Sequence, residues 1–327
     1  MALLSGCGGG ANRTQRSRYI QADLPTGGLG LYVEGTLARE AGQEDAALEL
    51  FLEASQRDER LILVNDAIAD IYEDRGELNL AERFLRRLVA LDPRTVGNYV
   101  RLGDTLMLLE RVTDALDTYR EGVEIKPENG PANYGAGRAL LALDQPEQAK
   151  SHLEIAVEQM PGAGEAWLNY GRALSATSSP AEAETAYRRA LETLDETTPD
   201  VYRGLGISLL QQSRPGEAAT FIQQAASDTD SADDFKLLGD AHMFASDYEQ
   251  AVTAYDGAIG RRPDYLDAIN AKGTARYQQF VAGGRLDTAR LNQAVDLWKA
   301  SLRINPDQPR VRQTLDQVAP GSLDEES

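Results

Sequence analysis

The chain has 327 residues, with 52 Asp and Glu against 33 Lys and Arg and a formal net charge of −19 at pH 7. Such an acid excess excludes general nucleic-acid binding, which needs cations to displace counterions from phosphates, and it repels an anionic membrane surface. No uninterrupted apolar run of about 20 residues is present to span a bilayer, one cysteine forms no internal disulfide, and the apolar 42% leans on Ala and Leu, which lose least on entering a helix.

The single cysteine, Cys7, sits in the opening stretch MALLSGCGGG. Leu4-Ser5-Gly6-Cys7 has the form of a bacterial lipobox: an aliphatic residue, two small residues, then the cysteine whose sulfur takes a diacylglycerol group. Several acyl chains on one terminus give stable anchoring. Gly8 to Gly30 is rich in Gly, Ser, Thr and Asn and reads as a flexible tether. Only Met-Ala-Leu precedes Leu4, short of the charged region and apolar core of a signal peptide. Two readings therefore stay open: a lipidated Cys7, or a tail with an incidental thiol.

From the tether onward small residues recur at Gly35, Ala69, Gly103, Gly137, Gly171, Gly206, Gly239 and Gly273, in steps of 33 to 35 residues. Twelve residues after the first seven come Ala47, Ala81, Ala115, Ala149, Ala183, Ala218 and Ala251, and four later the bulky Phe51, Leu85, Tyr119, Leu153, Tyr187, Ile222 and Tyr255. Three residues further lie Ala54, Leu88, Gly122, Ala156, Ala190, Ala225 and Ala258, with Pro93, Pro127, Pro161 and Pro263 closing four units. Twelve residues between two small side chains leave room for the end of one helix, a tight turn and the start of a second helix folding back. The small residues let the two backbones approach, and the bulky residue one turn on fills the space beside the crossing. Turn formers stand between them at Gly42, Gly76, Asp144, Ser178, Ser213 and Ser246.

In the last unit Gly273 and Ala294 lie 21 residues apart, nine more than elsewhere, so the stretch RYQQFVAGGRLDTARLNQ lengthens both helices around a Gly283-Gly284 turn. DQPRVRQTLDQV then reads as one more helix, a polar cap. The expected organisation is a tether over 1–27, a helical array over 28–306 with the nine-residue insertion in its last repeat, and a capping helix with an acidic tail over 307–327.

This pattern resembles the tetratricopeptide repeat family, whose unit is a 34-residue helix–turn–helix. VGNYVRLGDTLMLLERVTDALDTYREGVEIKP matches at Tyr99, Leu102, Gly103, Ala115, Tyr119 and Pro127. GEAWLNYGRALSATSSPAEAETAYRRALETLD matches at Trp167, Gly171, Ala183, Tyr187 and Ala190. The resemblance implies an all-α, right-handed superhelical solenoid of about eight hairpins plus a C-terminal capping helix, with the first helix of each pair lining a concave groove. On that implication Arg138, Arg172, Arg203 and Lys236 form a basic row with Asn169 adjacent, suited to an acidic peptide or a chain carboxylate. Tyr134, Met107, Met243, Phe244 and Tyr277 supply apolar contacts, and Asp66, Asp70, Glu73 and Asp74 form an acidic patch. The carboxylate clamp of chaperone-binding members is not matched: Tyr134, Arg138, Asn169, Asp200 and Gly204 stand at its positions, where Asn169 alone fits and Asp200 repels.

The sequence holds no metal-ligand spacing, Gly-rich phosphate loop or nucleophile elbow. Its two histidines, His152 and His242, lie in different repeats and read as packing or surface residues. The expectation is a non-catalytic scaffold without cofactor or metal. It binds a protein or extended peptide and no nucleic acid, and it meets a membrane only through a lipid on Cys7. A lipidated Cys7 followed by Gly8 places it on an outer membrane facing the periplasm, where lipid-anchored repeat proteins help assemble pili or secretion machinery. A soluble cytoplasmic adaptor, or a non-catalytic subunit of an enzyme complex, are the alternative readings.

Overall fold

The computed structural model describes residues 27–196 and 198–321. Cys7 with most of the tether, Thr197 and the end of the acidic tail lie outside the described residues. Among those described the chain forms 17 helices and no strand. It divides into two compact units, residues 1–145 and 146–327, which are taken in turn.

The first unit holds α1 (Gly28–Glu40), α2 (Glu44–Arg57), α3 (Ile62–Asp74), α4 (Leu78–Leu91), α5 (Val96–Leu108), α6 (Val112–Ile125) and α7 (Gly130–Ala142). The second holds α8 (Pro146–Gln159), α9 (Gly164–Ala176), α10 (Pro180–Thr193), α11 (Pro199–Gln211), α12 (Pro215–Thr229), α13 (Ala232–Phe244), α14 (Tyr248–Arg261), α15 (Leu266–Ala282), α16 (Thr288–Ile304) and α17 (Pro309–Val318). Within each unit every helix packs on the next, and first helices of successive pairs also touch, as α5 does α7 and α9 does α11. α15 and α16 have 17 residues each, against 13 to 15 in the pairs before them.

The close approach inside most pairs is set by glycine. A Cβ placed on Gly103 would lie 2.4 Å from the ring of Tyr119, and one on Gly239 would lie 2.4 Å from that of Tyr255. Where the partner is the narrower Leu85, alanine fits and stands at Ala69, fully buried. Two of the tyrosines are gripped from the following pair as well: a Cβ on Gly135 would meet the Tyr119 ring at 2.2 Å, and one on Gly204 the Tyr187 ring at 2.4 Å. The bulky series is core throughout, since Phe51, Leu85, Tyr119, Leu153, Tyr187, Ile222 and Tyr255 are all buried. In four of the first helices an early side chain ties down the turn before it. Tyr99 Oη donates to the carbonyl of Pro93, and Trp167 Nε1 to that of Pro161. At the equivalent places Asn133 Nδ2 donates to Pro127 and Asn65 Nδ2 to Glu59. Buried asparagine thus does with its amide what tyrosine or tryptophan does with its polar tip, because in these four helices the acceptor is the carbonyl six residues back.

The turn inside the pairs is equally uniform. A left-handed residue stands at Gly42, Gly76, Glu110, Asp144, Ser178, Ser213 and Ser246. The N–H of the next residue reaches back to the fifth residue before it, as in Gln43 N to Ala38 O and Arg111 N to Leu106 O. This is the Schellman closure of a helix, in which a left-handed residue lets two orphan carbonyls find donors. Glycine adopts that conformation without strain, whereas a residue with a Cβ loses about 1–2 kcal/mol there. Glu110, exposed at φ 59°, is therefore the most improvable of these turns. Glu110→Gly is expected to raise stability by up to about 1 kcal/mol and Gly76→Ala to lower it by a similar amount. Thermal denaturation of the full chain checks both signs.

Candidate partner-binding faces of the first helices

The charged residues of the first helices are ordered by ion pairs that run from one pair of helices to the next. In the first unit Arg101 of α5 reaches back to α3, where its guanidinium meets Asp66, Asp70 and Glu73. Arg39 of α1 approaches Asp70 at 3.4 Å and Asp74 at 3.9 Å from the other side. The acidic patch Asp66, Asp70, Glu73 and Asp74 is thus brought together on one face and is partly neutralised by arginines of both neighbouring pairs. Beside it Tyr119 Oη donates to Asp104 at 2.6 Å. Burial, followed by the Asp104 carboxylate, pushes the Tyr119 phenol far above its ordinary range, so it remains a donor.

In the second unit the cations Arg172 of α9, Arg203 of α11 and Lys236 of α13 each carry a carboxylate. Arg172 and Arg203 share Asp200. Arg203 also grips Asp234 in a fork, with Nε to Oδ1 at 2.6 Å and Nη2 to Oδ2 at 2.8 Å. Lys236 Nζ lies 2.7 Å from Asp240 Oδ2, and Tyr255 Oη donates to Oδ1 of the same carboxylate at 2.9 Å. These three cations therefore stand as a ladder of alternating charge, with less open positive potential than a bare row of cations presents. Arg138 belongs to the first unit, where its guanidinium lies 5.3 Å from the ring centre of Tyr134. Asn169 is buried: Nδ2 donates to the Glu165 carbonyl and Oδ1 accepts from Arg172 at 3.2 Å, so it orients the arginine.

The apolar candidates divide by exposure. Phe244, at the end of α13, is 72% exposed, and Met243 beside it is half-buried against Val252 and Tyr255. Met107 is half-buried, while its neighbour Leu108, at the end of α5, is 68% exposed. Tyr277 packs its ring 6.1 Å from that of Trp298 and belongs to the core of the last pair.

Sequence reading missed Arg101, Arg39, Asp234 and Asp240 as members of these faces, and placed Asp200 there only as a residue that repels a ligand carboxylate. A signal for them exists in the spacing. Opposite charges 31 residues apart, one repeat less one helical turn, are Arg39–Asp70, Asp70–Arg101 and Arg203–Asp234. Those 28 apart are Glu73–Arg101 and Arg172–Asp200. Among the described residues no group of three or more His, Cys, Asp or Glu is arranged to hold a metal ion.

Asp234 is the least exposed of these carboxylates, with 2% of its side chain exposed. The fork from Arg203, against burial and with help from Thr229 Oγ1 at 2.7 Å, holds it below the usual carboxylate range. A depressed folded-state pKa contributes stability that is fully present above the ordinary Asp value near ~4 and is lost progressively as pH falls from there through the lower folded-state value. Asp234→Asn is expected to cost about 2 kcal/mol at pH 7. That gap narrows as the solution is taken below the ordinary Asp range. Urea unfolding of both proteins at neutral and acid pH measures it; a gap of constant size would contradict the assignment.

A sequence profile described as Tetratricopeptide repeat matches residues 67–130, 134–199 and 236–309, together more than half of the chain. No curated protein shows significant similarity to the chain. Among solved structures, the protein YrrB, described as a repeat protein with an unusual peptide-binding site, aligns at 16% identity and TM-score 0.51 over 60% of this chain and 96% of its own. The complex Cut9–Hcn1 aligns at 15% identity and TM-score 0.49 over 94% of this chain and 59% of that one. A repeat protein from Parabacteroides merdae aligns at 14% identity and TM-score 0.48, covering 76% and 95%. At 16% identity the likeness to YrrB speaks for the fold alone. With the repeat matched in three stretches, and with helix pairs closed by a glycine against a buried ring, the chain belongs to the tetratricopeptide repeat family.

Proposed function

We propose that the chain is a non-catalytic scaffold that holds an extended peptide segment of a partner protein along the first-helix face of its second unit. The family's fold is one of protein and peptide binding. The observation that carries the finer reading is Asp200, a half-exposed carboxylate lodged between the guanidiniums of Arg172 and Arg203. It occupies the position that a ligand carboxylate would take between two arginines, so an acidic side chain on a bound peptide exchanges with it at small electrostatic cost. Exposed Phe244, on the next pair of helices along the same unit, provides an apolar contact for the same segment. YrrB, a protein of the same fold, is described as having a peptide-binding site, which supports the class of ligand.

Co-purification under mild detergent, followed by identification of what remains attached, tests this reading. Arg172→Glu combined with Phe244→Ser is expected to release the partner while helicity is unchanged. Asp200→Asn, which removes the internal competitor, is expected to retain it more tightly. A partner that stays bound to the first variant overturns the site.

The lipobox-like Leu4-Ser5-Gly6-Cys7 supports a bacterial envelope location, with the repeats tethered to an outer membrane and facing the periplasm in the assembly of an envelope machine. Metabolic labelling with palmitate is expected to mark the wild-type chain and leave Cys7→Ser unmarked. Equal labelling of the two, or none of the wild type, removes the lipid anchor and favours the cytoplasmic adaptor.

A further inference from the structure

The second helices of the first unit carry a cluster of arginines that the partner-binding face does not use. α2, the connecting residues 58–61 and α4 border an open pocket of about 460 Å³ lined by Arg57, Arg60, Arg83 and Arg87, with buried Phe84 as part of its wall. Arg83 and Arg87 lie one turn apart on α4, their guanidinium carbons 5.1 and 5.3 Å from the centre of the Phe84 ring. Arg87 Nη1 also reaches Ser55 Oγ at 3.4 Å.

Like charges one turn apart on a helix repel, and three neighbouring guanidiniums of these second helices and their turns are neutralised: Arg57 by Glu53, Arg75 by Glu44 and Asp45, Arg86 by Glu82. Arg60, Arg83 and Arg87 take part in no ion pair among the described residues. Two carboxylates do line the cavity, those of Asp58 and Glu59. Asp58 Oδ1 instead accepts the backbone N–H of Arg60 at 3.0 Å. Neither acid forms an ion pair with these arginines, and three arginines without a carboxylate partner line one space.

A single carboxylate would meet one fork and leave two. A phosphate monoester carries about −1.5 to −2 charges at neutral pH and three acceptor oxygens, which suits three forks. The cavity is of a size that takes a small ligand. The Phe84 ring is covered by two guanidiniums and stacks on Tyr72 at 5.9 Å, which leaves no open face for a nucleobase. We propose that the cavity between α2 and α4 binds a phosphate dianion through Arg60, Arg83 and Arg87. The site stands apart from the first-helix faces and does not depend on the proposed function.

Isothermal titration of the full chain with inorganic phosphate, at constant ionic strength set with chloride, tests the site. Saturable binding is expected in the wild type. Arg83→Gln combined with Arg87→Gln weakens it about tenfold or more, and Arg94→Gln, an exposed arginine of the same unit that does not line the cavity, leaves it unchanged. Circular dichroism melts report whether the double variant folds, and Arg60→Gln, on the exposed connection, carries the same comparison if it does not. No saturable binding, equal binding by the arginine variants, or succinate binding as tightly as phosphate overturns the proposal. A phosphoserine peptide that outcompetes phosphate identifies the source as a phosphorylated protein. Equal affinity identifies free phosphate, and either result upholds the site.

Discussion

Everything in this molecule depends on how closely the two helices of a pair can approach, and that distance is set by a missing Cβ. The ring of Tyr119 occupies the space that a side chain on Gly103 would need, and the ring of Tyr255 does the same at Gly239. With so little room at the crossing, packing becomes a matter of interlocking one ring with one bare stretch of backbone. The partner alanines at Ala115 and Ala251 are fully buried at the same junctions. A substitution in one series has to be answered in the other, as Ala69 is answered by Leu85.

This constraint also explains the period. A helix pair with a ring locked between its members has one preferred offset, and the next pair repeats it because Gly135 and Gly204 receive the rings of Tyr119 and Tyr187 from the preceding one. The amide or ring tip of Asn65, Tyr99, Asn133 and Trp167, each bonded to a carbonyl six residues back, sets the entry of four of the first helices. Once the pairs are in register, first helices lie side by side. Residues 28 or 31 apart then become neighbours, which is what assembles the ion-pair ladders. The ladders are a consequence of the packing, and their exposed members add little stability individually. Asp234, enclosed and forked by Arg203, is the exception.

Charge on the two kinds of helix is handled differently. On the first helices Arg39, Arg101, Arg172 and Arg203 face carboxylates of neighbouring pairs, so the surface offered to a partner is one of fixed alternating charge. On the second helices of the first unit Arg83 and Arg87 both lie against the Phe84 ring, with positive charge left over in a chain whose net charge is −19. An acidic protein can hold such a local excess because burial of guanidinium stems against an aromatic ring offsets part of the repulsion.

The sequence by itself determined the helix pairs, their period, their turns and the residues at each crossing. All of these rest on contacts within a span of about one repeat, where the spacing of small and bulky side chains has one physical solution. The lengthened last pair, with Gly284 in the left-handed conformation at its turn, follows from the same spacing. Even Glu110, which carries no turn-former signature, is placed by its register between Gly76 and Asp144. Only the tertiary structure decided what the charged residues do. Arg172, Arg203 and Lys236 read along the chain as a row of cations, but the partners Asp200 and Asp234 come from the next pair of helices, and Asp240 from one turn along the same helix. Arg60, Arg83 and Arg87 read as ordinary surface arginines until α2 and α4 border a shared pocket. A residue's type is local, whereas its electrostatic partner depends on which helix is laid beside it.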